Sequence, residues 1–187
     1  RGHARCIASG LKYIFEKKEF DFVIPMDGDG EDRPDEIKNF IQLSEQSVDK
    51  SIIGERVKRS EGLFFQLCYQ FHKFLTLAFT GQSIKFGNFT CISKLTVKKM
   101  LEEKASWNSF SGSLKKIEKD LLSIPSIRGK RYYGPSKMSF FNLLKHSLSI
   151  ISVFRKTVLM RSALFIIFYI LLIKSYASVI TYLALVF

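Results

Sequence analysis

Phe22-Val23-Ile24-Pro25-Met26-Asp27-Gly28-Asp29-Gly30 is an apolar run that breaks into a turn carrying two acids one residue apart. On an extended chain these carboxylates would face opposite ways, whereas a turn opened by Gly28 and Gly30 can bring both onto one cation. Hard oxygen ligands of this kind suit Mg²⁺ or Mn²⁺ holding a substrate diphosphate. Asp27 and Asp29 are therefore candidate metal ligands, with a purely structural acidic turn as the alternative. A calcium loop of the EF-hand type fails on spacing. Counting from Asp27, Lys38 stands where a bidentate glutamate is required, and Pro34 intrudes.

Outward from this turn the chain reads as α/β. Ala4 to Phe15 has helical spacing of apolar residues, Glu16-Lys17-Lys18-Glu19 is a polar break, and Phe20–Pro25 reads as a strand. Arg33-Pro34-Asp35-Glu36 is a helix start, with proline in the first turn and two acids favoured by the N-terminal dipole. That helix runs through Leu43, and Ser51–Gly54 is the next strand. Gly62 to Phe79 forms a helix with a wide apolar face, Gly87–Ser93 a strand, and Lys94–Lys104 a charged surface helix. Met138–Phe154 is amphipathic, with Lys145 and His146 beside a stripe of Phe141, Leu144, Leu148 and Ile151. Helix alternating with strand predicts helices packed on a parallel sheet.

The chain of 187 residues carries 29 Lys and Arg against 17 Asp and Glu, a net +12, so an anionic partner is expected. Position narrows the choice. Basic residues thicken from Lys115 and stop at Arg161, where an apolar tail begins, which is the positive-inside pattern of a membrane protein with its catalytic part on the cytoplasmic side. Thr157 to Ile173 carries one charge, Arg161, and as a helix spans roughly 25 Å. Arg161 could snorkel at one end and Lys174 at the other, with Ser175 opening a second span. A membrane hairpin is thus expected over a single helix that would bury Lys174. The helix before it should rest in the membrane interface. An opening on Arg1 and an apolar close at Phe187 suggest a fragment.

The three cysteines, Cys6, Cys68 and Cys91, show no paired spacing and read as small buried residues. His3, His72 and His146 lack ligand-spaced partners and read as surface or interface side chains. The aromatic cluster Phe64 to Phe79 reads as a helical face packing on sheet or membrane. No strand presents these rings to solvent, so nucleic acid is not expected as a partner.

The stretch from Phe22 to Ile37, with its acidic turn followed by Pro34-Asp35-Glu36, resembles the aspartate-x-aspartate segment of glycosyltransferase family 2, in the dolichyl- and polyprenyl-phosphate sugar synthase branch. Gly2-His3-Ala4-Arg5 through Gly10 resembles the tail of that family's nucleotide-binding half, whose base-gripping strand and loop are not in this chain. Gly54-Glu55-Arg56, followed by Arg59, is similar to the branch's arginine-bearing strand end. Arg131-Tyr132-Tyr133-Gly134-Pro135-Ser136-Lys137 matches its Arg-x-x-Gly-x-Ser-Lys element. The resemblance implies the C-terminal portion of a Rossmann-like nucleotide-sugar transferase (GT-A) fold, followed by an interface helix and a transmembrane helix or hairpin. It further implies that Asp27 and Asp29 hold the metal and donor diphosphate with help from Glu31, and that Arg56, Arg59, Arg131 and Lys137 receive an acceptor phosphate.

Guanidinium groups suit that last task, because their planar fork binds phosphate bidentately and stays charged. Solvation is the plain alternative for Arg56 and Arg59, and a headgroup-binding patch for Arg131. The Gln-x-x-Arg-Trp element common among sugar-to-sugar transferases is not recognisable, since Trp107 stands alone in Ser106-Trp107-Asn108. An acceptor phosphate is already anionic and needs no general base, which favours a lipid-phosphate acceptor.

The expectation is therefore a partial catalytic domain over residues 1–125, a basic loop with an interface helix over 126–156, and truncated transmembrane segment(s) over 157–187. Its activity would be metal-dependent inverting hexosyl transfer from a nucleotide-sugar donor, with Asp29, Arg56 and Arg131 at the centre of the chemistry. A homo-oligomer stays open. The rivals are a transferase acting on a polysaccharide or glycolipid, and a non-enzymatic adaptor that binds anionic lipid.

Overall fold

The computed structural model describes residues 2–47, 50–56, 63–134 and 139–186, by backbone alone at 63–66, 175 and 177–186. Helix α1, His3–Lys17, buries Ala8 and Leu11 on one face and ends where Lys18 turns extended. The following strand is shorter than expected. β1 comprises Phe22–Val23, because Pro25 has no N–H to extend a ladder and the acidic turn begins two residues later. After a 3₁₀ turn at Pro34–Glu36 come α2, Ile37–Gln46, and β2, Ile52–Arg56. Next are α3, Leu63–Thr80, β3, Phe86–Ser93, and α4, Lys94–Glu102.

The segment after α4 carries elements that the hydropathy pattern does not announce. Ser109 accepts a hydrogen bond from the Gly112 N–H and caps α5, Phe110–Ile117. β4, Leu122–Ser126, contains Pro125, tolerable because β4 is an edge strand.

The fold is mixed α/β, with a four-stranded sheet in the order β1-β3-β2-β4. The sheet is not the parallel one expected. β3 runs antiparallel to both neighbours, pairing Val23 with Ile92 and Ile52 with Cys91, while β2 and β4 are parallel, Ile52 opposite Leu122 through Arg56 opposite Ser126. Gly54 sits where the β2–β3 register shifts. A Cβ there would lie 3.1 Å from the Phe89 carbonyl oxygen and 3.3 Å from Ser126 Cβ, so a larger residue would push the three strands apart.

Strand alternation divides the core into two layers. Ile52 and Cys91 face α2, packing with Phe40 and Phe89, whose rings meet edge-on at 4.8 Å. Their sequence neighbours Ile53 and Ile92 face the other way, into a larger cluster with Leu11, Val97, Met100, Phe110, Leu114, Ile150 and Phe154. Each such side chain fully withdrawn from water stabilises by about 1.5–3 kcal/mol relative to exposure. The cysteines divide differently from expectation: Cys91 is buried in the first layer, Cys68 half-buried and Cys6 exposed, because Cys6 falls on the outward side of α1. Desolvation pushes the Cys91 thiol up to about 11.

Ser139 caps α6, Phe140–Val153, by accepting from the Asn142 N–H. This helix buries Ser147, Ile150 and Val153, whereas Phe141, Leu144 and Leu148 point outward. A break at Phe154 leads to α7, Arg155–Val186. The hairpin expected at Lys174-Ser175 does not form, and one helix of 32 residues runs through both. Lysine is a good helix former, so the backbone meets no reason to turn there. Arg155–Lys174 is long and apolar enough to cross a membrane. Arg161 does not hang free in its first turns: its Nη1 donates to the Leu77 and Ala78 carbonyls at 3.3 and 2.9 Å, closing the C-terminus of α3.

Candidate metal and phosphate site

The acidic turn leaves β1 and folds back on its own side chains. Asp32 Oδ2 accepts from the Asp27 N–H at 2.9 Å, and Asp29 Oδ1 from the Glu31 N–H at 3.0 Å. Gly30 takes the left-handed conformation, φ +89°, that this reversal demands. A Cβ on Gly30 would also stand 2.7 Å from the Tyr132 ring, so both the turn and its neighbour require glycine here.

Tyr132 belongs to the loop that follows β4, and the sheet brings that loop over the turn. The Gly129 and Tyr132 N–H groups donate to the Glu31 and Asp29 carbonyls, both at 2.9 Å. Gly129 itself packs against the Gly30 carbonyl too closely for any side chain. One turn earlier, Glu36 Oε1 accepts from the Ile127 N–H at 3.0 Å, stitching the end of β4 to the start of α2.

The charged side chains interlock on this frame. Arg131 Nε lies 2.9 Å from Glu31 Oε1, its Nη2 lies 3.2 Å from Asp29 Oδ2, and Arg128 pairs with Glu31 Oε2. The hydrogen bond to Glu31, followed by the charges of Glu31, Asp29 and Asp27, holds Arg131 above its ordinary pKa. Asp32, buried at the base of the turn, is held above the usual carboxylate range. Burial is the main cause and Asp27 adds to it, against the hydrogen bond from the Asp27 backbone and the charges of Arg56 and Arg128.

Histidines close the far side. His3 Nε2 lies 3.1 Å from Asp27 Oδ1, and Asn88 Nδ2 lies 3.3 Å from His3 Nδ1, an arrangement suited to the tautomer with its hydrogen on Nε2. His146, on α6, is solvent-exposed yet close enough to His3 and Arg56 to feel their charges. Desolvation first, then the charges of His3 and Arg56, hold it below the ordinary histidine range.

The structure thus brings Asp27, Asp29, Glu31 and Arg131 into one cluster. Arg56 stands at the end of β2 with its guanidinium over Gly87 and its charge felt at Asp32 and His146. Arg59 and Lys137 lie outside the described residues. Asp32, Arg128, His3 and Asn88 are additions. Arg128 stands three residues before Arg131 and Asp32 lies within the acidic stretch, so both had a local signal. His3 had none, because its partner is 24 residues away.

Among the described residues no group of three His, Cys, Asp or Glu side chains is arranged around a common point for an ion. Asp27 and Asp29 carry hard oxygen atoms of the kind that suit Mg²⁺ or Mn²⁺, but His3 faces Asp27 Oδ1, the Glu31 N–H donates to Asp29 Oδ1 and Arg131 faces Asp29 Oδ2, so an ion at the turn would have to displace some of these partners. Glu31 is engaged in the same way, both its oxygens being taken up by arginines. No protein-family model, curated protein or solved structure matches the chain.

Proposed function

We propose that this chain forms part of a membrane-associated inverting glycosyltransferase of the GT-A type, moving a sugar from a nucleotide-sugar donor to a polyprenyl-phosphate-type lipid. The observation that carries the reading is the pairing of the Asp27–Asp29 turn with Arg128 and Arg131, on a loop that leads through α6 into the apolar α7. Carboxylates for a cation and guanidinium groups for phosphate then meet in one cluster, and the segment that supplies the guanidinium groups continues in sequence into a membrane-grade helix.

In this reading Asp27 and Asp29 bind the ion that carries the donor diphosphate. When bound, Mg²⁺ or Mn²⁺ neutralises the leaving diphosphate as a Lewis acid. Arg131, with Arg56 and Arg59, turns its fork toward the acceptor phosphate, and Lys137 adds a charge beside it. An acceptor phosphate oxygen attacks the anomeric carbon from the face opposite the diphosphate, and the bond from that carbon to the diphosphate oxygen breaks. The nucleoside diphosphate leaves with the electron pair, and configuration inverts. No proton need be removed from the acceptor. α7 anchors the protein, with the site on the cytoplasmic side where the basic residues concentrate.

The test is incubation of membranes containing the protein with labelled UDP- and GDP-sugars, with Mn²⁺ or chelator, followed by organic extraction. Metal-dependent label in a mild-acid-labile lipid is expected, and Asp29→Ala should abolish it while membrane attachment persists. Label in polymer alone would transfer the reading to a polysaccharide acceptor. No label anywhere would leave a lipid-binding adaptor.

A further inference from the structure

A cleft of about 240 Å³ opens between the C-terminal half of α3 and residues 82–84, away from the acidic turn and sharing no residue with it. Its lining includes the polar residues His72, Lys73, Gln82 and Ser83 together with the apolar Phe74 and Leu77. His72 is buried, with Nδ1 3.3 Å from the Thr76 hydroxyl, and Lys73 Nζ lies 5.8 Å from the centre of the Tyr69 ring. A cation, amide and hydroxyl donors thus line the recess together with hydrocarbon.

The level of this recess along α7 is fixed by two contacts. Arg161 Nη1 donates to the Leu77 and Ala78 carbonyls, and the Phe79 and Phe165 rings meet edge-on at 6.1 Å. The cleft mouth therefore stands beside the point where α7 loses its charges, since Ser162 to Ile173 carries none. In a bilayer that point is the headgroup layer. The rim carries Phe74 and Leu77 at 65% and 51% exposure, and Phe71 continues the same outward apolar face of α3. Phe141, Leu144 and Leu148 do likewise on α6, which packs against α3. Exposed rings and aliphatic chains around a cationic recess suit a molecule with a phosphate at one end and an acyl chain at the other.

We propose that this cleft binds an anionic membrane phospholipid, its headgroup phosphate received by Lys73, Gln82 and Ser83 and the start of one acyl chain lying against Phe74 and Leu77. The proposal rests on the membrane reading of α7 and is independent of the sugar-transfer chemistry. The site is structural or regulatory, holding α3 at the bilayer surface.

The protein, purified in detergent and returned to mixed phosphatidylglycerol–phosphatidylcholine nanodiscs, provides the test, with retained lipid counted by native mass spectrometry. Wild-type protein should retain phosphatidylglycerol over phosphatidylcholine. The double variant K73Q/Q82L should lose that retention by roughly tenfold, the scale of one charge-assisted phosphate contact. Lys98→Gln on α4 should retain it. Equal retention by the double variant, no preference for the anionic lipid, or displacement by millimolar inorganic phosphate would each overturn the proposal, the last in favour of a free-phosphate site. An alkaline wash separates the assumptions: wild-type protein released from membranes overturns the membrane reading and the cleft proposal with it, and leaves the Asp29→Ala transfer assay to judge the chemistry alone.

Discussion

Arg131 joins Glu31 across a hundred residues of chain, with its Nε 2.9 Å from Glu31 Oε1, while its Nη2 faces Asp29 Oδ2 at 3.2 Å. One guanidinium therefore holds the counter-ion of the basic loop and a candidate metal ligand together. Without a ligand this offsets part of the turn's negative charge. In the proposed reaction the same fork would meet the acceptor phosphate in place of a carboxylate.

Glu31→Gln should lower folding stability by about 1.5–3 kcal/mol, because Arg128 and Arg131 lose a charged acceptor that is only 12% exposed. Arg131→Gln should cost less, since Arg128 still pairs with Glu31. A double-mutant cycle read from urea midpoints should give a clear coupling energy. Strict additivity would mean that the pair is solvated and does not hold the loop.

Gly30→Ala should destabilise by about 1–2 kcal/mol from the left-handed backbone alone, with a further cost from the 2.7 Å approach to Tyr132. Adding Tyr132→Ser should recover the second part and not the first. Thermal melts of the two variants separate backbone strain from crowding.

Arg161→Gln should loosen the end of α3, where a guanidinium now serves two terminal carbonyls beside Gly81 at φ +71°. Loss of charge-assisted hydrogen bonds of this kind costs about 1.5–3 kcal/mol. The readout is faster hydrogen exchange at the Gly81 amide, which donates to Leu77, with α4 amides unchanged. Unchanged exchange there would mean that Gly81 suffices as the cap.

Asp32→Asn should raise the melting temperature at pH 7. The folded state holds the Asp32 proton more tightly than the unfolded chain does, so the native carboxyl loses stability as pH rises from the unfolded value of 3.8 through its raised folded value. Above that window the cost of the buried charge is constant, and asparagine removes it while its carbonyl still accepts from the Asp27 N–H. The gain should shrink as pH is lowered toward 4. A gain independent of pH would exclude charge burial as its cause.

Much of this architecture was written in local patterns. α1, α2, α3, α4 and α6 announce themselves through apolar residues at helical spacing, and β2 and β3 through short β-rich runs, because periodicity encodes which face of an element meets the core. The acidic turn is equally local, since Gly30 and the acids around it carry the chemistry of the reversal in their own backbones and side chains. Periodicity does not encode direction or neighbours, so the antiparallel course of β3 and the edge position that lets Pro125 sit in β4 depended on the path of the whole chain. The continuity of α7 through Lys174 likewise followed from helix propensity, to which the cost of a charge in hydrocarbon is invisible. The pairing of Arg128 and Arg131 with Glu31, and of His3 with Asp27, arose where β4 and α1 were laid beside the turn. Charges attract any opposite partner within reach, and only the folded sheet sets which partners are in reach.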